Sequence, residues 1–141
     1  RKLLVAGGRR TGSPETWFPW HPFIRPIGYV DGQRKKEVLA SSSALLVPIQ
    51  WEEPFGLTVV EAMVSGTPVI AFRRGAMPEL IIDGVTGFLC DTEDEMVEAV
   101  EKLVELSPDD CRRHAVASFS ATAMYQRHME LIDLAGSGVT W

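Results

Sequence analysis

Short continuous apolar runs, each closed by glycine or proline, alternate along this chain with longer stretches of helical period. Continuous runs of this kind read as strands buried on both faces. The first is residues 2–6 (KLLVA), ended by Gly7 and Gly8. The others are 27–30, 44–47 (stopped by Pro48), 68–72 (PVIAF) and 88–90. Asp31 is a candidate N-cap for a helix through Ala40, with Arg34, Lys35 and Lys36 on its outer face. A second helix spans 56–65 and ends at Gly66. Pro78 suits the first turn of a short helix through Ile82. Thr92 and Glu95 form a capping box for a helix to about residue 105. Its apolar stripe is Met96, Val97, Val100, Leu103 and Val104. Ser107 and Pro108 open another helix, and a last one follows with Met124, Leu131 and Ile132 facing inward.

Strands alternating with helices in this way predict an α/β fold, a doubly wound parallel sheet covered on both faces. Such folds bind ligands at the carboxyl ends of their strands. Residues 9–26 carry no period. Pro14, Pro19, Pro22 and Pro26, with Trp17, Phe18 and Trp20 as apolar anchors, make that stretch a long irregular loop. By length the expectation is one domain, over residues 1–135, with a flexible tail at 136–141.

Composition narrows the functional classes. Hydrophobic residues are 45% of the 141, enough for a core. A net charge of −5 argues against a general nucleic-acid binder, though not against binding one nucleotide. Cys90 and Cys111 lack metal-ligand spacing, and Cys90, at the end of an apolar run, reads as a buried thiol suited to a reducing compartment. No apolar run reaches the roughly 18 to 20 residues of a spanning helix, and no signal peptide is visible. A cytoplasmic location is therefore expected. The abrupt opening at residues 2–6, without cap or initiator Met, reads as part of a longer protein.

The densest chemistry lies in E-P-F-G-L-T-V-V-E, residues 53–61. Two carboxylates, Glu53 and Glu61, flank a Phe55-Gly56 turn that opens a helix. A helix N-terminus beside a small residue is an anion site. Gly56 lets the backbone approach a phosphate, where a Cβ would obstruct it. On a helical wheel, Leu57, Val59, Val60, Met63 and Val64 form one broad apolar face, while Thr58, Glu61 and Ser65 form a polar strip with Ala62 at its edge. The rise from Gly56 to Glu61 is roughly 7.5 Å, the scale of a diphosphate and its ribose. A carboxylate accepts from vicinal hydroxyls. Sugar, diphosphate and ribose follow in that order in a nucleotide-sugar. The competing reading makes Glu61 a solvated helix residue and Glu53 an N-terminal carboxylate worth about 0.3 to 1 kcal/mol against the helix dipole. Glu52 reads as the surface neighbour of Glu53.

Residues 48–91 resemble the carboxyl-terminal domain of GT-B glycosyltransferases of family 4. The resemblance rests on E-x7-E (Glu53, Glu61), EPFGL, EAM at 61–63, GTPVIA at 66–71, G-x-x-P-E at 75–79 and DG-x-TGFL at 83–89, in order and spacing. KLLVAG, IGYVDG and SALLVP extend it upstream. It implies one half of a two-domain enzyme that transfers a sugar with retention of configuration. The donor would be a UDP- or GDP-linked sugar, with no cofactor and no bound metal. Glu53 would contact the donor sugar as the catalytic residue. Phe55, Gly56, Leu57 and Thr58 would meet sugar or phosphate, Glu61 the ribose, and Tyr29 and Val30 the base.

The resemblance places acceptor binding in a missing amino-terminal domain and allows peripheral membrane association of the full-length protein. The family's upstream strand and cationic loop have no counterpart before residue 1, so the fragment alone is expected to be inactive. Arg9 and Arg10 are weaker candidates for phosphate, with a surface role as the alternative. His21, His114 and His128 form no site. Two further readings are a non-catalytic nucleotide-sugar-binding or assembly module and a sugar-nucleotide epimerase of GT-B fold.

Overall fold

The structure is a computed structural model that describes residues 2–7 and 21–137. The loop residues 8–20, with Arg9 and Arg10, and the tail 138–141 lie outside the described residues. The chain divides into two compact units, Arg1–Val38 and Leu39–Trp141.

In the first unit, β1 (Leu3–Ala6) pairs in parallel with β2 (Ile24–Gly28). The expected second strand, 27–30, is displaced toward the N-terminus and takes in Pro26. A proline has no N–H to give to a ladder, so it fits only an edge strand or an irregularity. Pro26 has both here: it lies opposite Val5, where the register shifts, and β2 pairs on one side only among the described residues. β1 is not buried as expected, since Leu3 and Leu4 are exposed in this two-stranded sheet. Helix α1 (Gly32–Ala40) follows along the chain as the sequence predicts, and its last two residues belong to the second unit.

The second unit holds a parallel three-stranded sheet ordered β3 (Leu45–Val47), β4 (Val69–Phe72), β5 (Gly87–Cys90). All four residues of β4 are buried. Val69 and Ala71 join a core with Val59, Ala62 and Met63 of α2 (Leu57–Val64), Met77 and Leu80 of α3 (Met77–Leu80), and Cys111 and Ala115 of α5 (Pro108–Phe119). Ile70 and Phe72 pack on the opposite face with Met96 and Ala99 of α4 (Glu93–Lys102). The central strand is thus covered on both sides, as its unbroken apolar run requires. β3 is the less buried strand, with Leu46 exposed.

Local signals set the helix ends. Helix α2 closes in a full Schellman motif: Gly66 N–H donates to Met63 O and Thr67 N–H to Ala62 O, each at 2.9 Å. Gly66 supplies the left-handed φ of +82°. Thr92 caps α4 by accepting from Glu95 N–H at 3.2 Å, while Glu95 accepts from Asp91 N–H at 2.7 Å. The helical stretch after α4 tightens into a 3-10 turn, Leu103–Glu105.

Inward faces are less well predicted. In α2, Ala62 is buried while Leu57 and Val64 are exposed, because the helix turns the i, i+3, i+4 set Val59, Ala62, Met63 onto β4 and α5. In α4, Val97 is exposed and Ala99 takes its place; Val104, in the 3-10 turn, is exposed too. The last helix, α6 (Ala121–Gly136), has no buried residue, so Met124 and Ile132 are not inward.

Candidate functional site

The loop leaving β3 carries the expected constellation. Gly56 has φ +87°, a left-handed conformation from which α2 starts. The Gly56 carbonyl accepts from Val59 N–H at 2.9 Å and from Val60 N–H at 3.4 Å. The Leu57 and Thr58 amides precede these, in the part of a helix that has no internal acceptor. Phe55, Leu57 and Thr58 are exposed around this end of the helix.

Glu53 is half-buried and fixed on both sides of its carboxylate. Oε1 accepts from Gly56 N–H at 3.1 Å, and Oε2 from Trp51 Nε1 at 3.3 Å. Each carboxylate oxygen has a second lone pair, so Glu53 keeps acceptor capacity toward a hydroxyl. Its place at the amide of Gly56 is also that of a carboxylate at a helix N-terminus. Both readings of Glu53 are therefore compatible with one geometry.

Gly56 has a structural constraint of its own, its left-handed φ of +87°. A Cβ there would come within 2.8 Å of Met77 Cε and 3.0 Å of Leu80 Cδ1. Both atoms are side-chain ends on α3, so the packing of α3 also favours a glycine here. Glu61 lies on α2, half-buried, and its carbonyl accepts from Ser65 N–H at 3.1 Å and Ser65 Oγ at 2.8 Å. Glu53, Phe55, Gly56, Leu57, Thr58 and Glu61 are thus brought together in the second unit. Tyr29 and Val30 belong to the first, just past the end of β2, and Tyr29 is exposed.

Several residues escaped sequence reasoning. Glu52 Oε2 accepts from Gly75 N–H at 2.6 Å, so Glu52 is a loop tie as well as a surface residue. Arg73 pairs with Asp83 at 3.3 Å and Asp91 at 3.8 Å and donates to Leu89 O at 3.2 Å. Asp83 also accepts from Leu89 N–H at 3.0 Å. Much of the DG-x-TGFL motif is accounted for by this lock, by Thr86 accepting from Ile82 N–H at 2.9 Å, and by the close approach of Gly87 to Val69. Past the carboxyl ends of the strands lies an open pocket of about 290 Å³ lined by Gln50, Phe72, Arg74, Asp91, Thr92 and Glu93. None of these was a candidate, and Gln50 lies on the loop that also carries Glu53.

His114 Nε2 lies 2.9 Å from Leu80 O and its ring stands edge-on to Phe119, a structural position. His128 Nδ1 lies 2.8 Å from Met124 O. Among the described residues no cluster of His, Cys, Asp and Glu could hold a metal ion. No helix among them is long and apolar enough to cross a membrane.

The family model of the glycosyl transferases group 1 matches residues 24–118. The chain belongs to this family. Among the relatives, a D-inositol 3-phosphate glycosyltransferase of Corynebacterium diphtheriae is 34% identical over an alignment that covers 76% of this chain and 27% of that protein. A trehalose synthase of Pyrococcus horikoshii is 30% identical over 96% of this chain and 37% of its own length. AviGT4, a glycosyltransferase involved in avilamycin A biosynthesis, superposes with a TM-score of 0.74 at 29% identity, covering 100% of this chain and 45% of that one. The Anabaena protein Alr3699/HepE, solved in complex with UDP-glucose, has a TM-score of 0.61 at 23% identity over 79% of this chain and 32% of its own, a likeness of fold. The α/β fold with parallel sheets is that of a Rossmann-like half of a GT-B glycosyltransferase. The chain spans about a third or less of the length of most of these curated relatives.

Proposed function

We propose that this chain is the donor-binding, carboxyl-terminal half of a family 4 retaining glycosyltransferase that transfers a hexose from a UDP- or GDP-linked sugar. The observation that carries the reading is the start of α2. A left-handed glycine presents the amides of Leu57 and Thr58, and a carboxylate is locked 3.1 Å from the adjoining amide. A diphosphate at this helix end meets the positive end of the dipole. Charge builds on the diphosphate as the sugar departs, and a fixed dipole stabilises that charge without reorganising. Glu53, pinned through both oxygens, would accept from hydroxyls of the donor sugar. Glu61, one turn further along, would hold the ribose hydroxyls. Tyr29 and Val30 are proposed to border the base. No metal or other cofactor is assigned a part. The acceptor would be bound by another domain of the full-length protein, in the cytoplasm or at the surface of its membrane.

The UDP-glucose bound by Alr3699/HepE makes a UDP-sugar the first donor to try. The experiment is paired calorimetry of Glu53→Ala with a nucleotide-sugar and with its free nucleotide. Loss of hydroxyl contacts should weaken the sugar conjugate by about 1 to 3 kcal/mol, as for hydrogen bonds to a charged group, and the nucleotide by less. Equal losses for the two ligands would remove Glu53 from the sugar.

A further inference from the structure

The loop after β3 does not stand free. Its residues 50–53 lie against residues 74–76, the loop after β4, through a row of hydrogen bonds. Arg74 Nη1 donates to Gln50 O at 3.4 Å, Gly75 N–H to Glu52 Oε2 at 2.6 Å, and Ala76 N–H to Glu53 O at 2.9 Å. Gly75 has φ +52°, and a Cβ there would collide with the backbone nitrogen and oxygen of Glu53. The two loops therefore meet backbone to backbone, and the contact ends on the residue whose carboxylate holds Gly56 N–H. The side-chain link with a formal charge on its acceptor is Glu52, and such bonds are the shorter and stronger ones. The Glu52 bond and the Glu53 carbonyl bond sit on either side of one peptide plane. Both bonds restrain the backbone from which the Glu53 side chain departs.

We propose that Glu52 is a positioning residue: through Gly75 it holds the 50–53 segment on the β4 loop and so sets where the Glu53 carboxylate and the α2 amide end stand. The part that concerns ligand rests on the donor-binding reading; the part that concerns the turn does not. Small displacements at such a site are costly, since reacting groups must be held to fractions of an ångström.

The test uses the chain with Glu52→Ala and Glu52→Gln, the second retaining an acceptor oxygen. Amide hydrogen exchange is followed by NMR at Gly75 and Gly56. Affinity is measured by calorimetry for UDP-glucose and GDP-mannose, each beside its nucleotide. In Glu52→Ala, exchange should quicken at both glycines, and affinity for the sugar conjugate should fall about tenfold, more than for the nucleotide. Glu52→Gln should restore both, with little change in melting temperature. Faster exchange at Gly75 with Gly56 unchanged would overturn the proposal. So would equal losses for conjugate and nucleotide that track a fall in melting temperature. If the unaltered chain binds none of these ligands, the donor-binding reading falls, and exchange at Gly56 still decides whether Glu52 positions the turn.

Discussion

A residue's neighbours along the chain decided what could be foreseen of it. Glu53 was legible because its N-terminal role and its motif are local, and its bond to Gly56 spans three positions. Glu52 was not, because its partner Gly75 lies 23 positions away and nothing in the sequence announces the approach. Gly56 was foreseen as a glycine for the approach of a ligand, and the fold adds a constraint of its own in its left-handed φ and in Met77 and Leu80 beside its Cβ position. Cys90 is buried as the sequence suggested, and Cys111 is buried too. Burial raises the pKa of each thiol above its ordinary value, and nearby carboxylates add to the rise. Two results are expected. Native chain at neutral pH should resist a thiol alkylating reagent that labels both cysteines after denaturation. Stability should also decline as pH climbs past about 9, because the unfolded chain then ionises thiols that the folded chain keeps protonated. Rapid labelling of the native protein at pH 7 would contradict their burial.

At the scale of elements, starts and stops were readable and inward faces were not. The Schellman end of α2 at Gly66 and the Thr92 cap of α4 are short-range devices that a sequence displays directly. The buried run of β4 was equally plain. The direction of a helix is different, because it depends on which neighbours it meets. The wheel gave α2 the right amount of apolar surface, yet its packing on both β4 and α5 buries Ala62 and leaves Leu57 out. β2 was misplaced because Pro26 reads as a breaker unless the strand's pairing is known to be one-sided. The contact between β4 and β5 makes a sharp prediction. A Cβ on Gly87 would overlap Val69 O and stand 2.9 Å from Val69 C, both backbone atoms that cannot rotate away. Gly87→Ala should cost about 1 to 3 kcal/mol, as overpacking does, and lower the melting temperature by several degrees. A variant that melts with the parent chain would show that the strands do not approach so closely.

For the whole molecule, alternating elements and covered strands foretold an α/β fold with parallel sheets, and the family match over residues 24–118 agrees with the motifs between 48 and 91. The division into two units was not legible, because length alone gives no contact map. The pocket beyond β4 and β5 also escaped notice, since its lining comes from three separate loops. The net charge of −5 leaves an anionic ligand dependent on local dipoles rather than on a general field, which places the weight of the account on one helix end. The direct test is calorimetric titration of the chain with UDP, GDP, ADP and their glucose or mannose conjugates, beside the Glu61→Ala variant. Saturable binding of one nucleotide, weakened when Glu61 is removed, is the expected result. A folded chain that binds none of them, or binds equally well without Glu61, would contradict it.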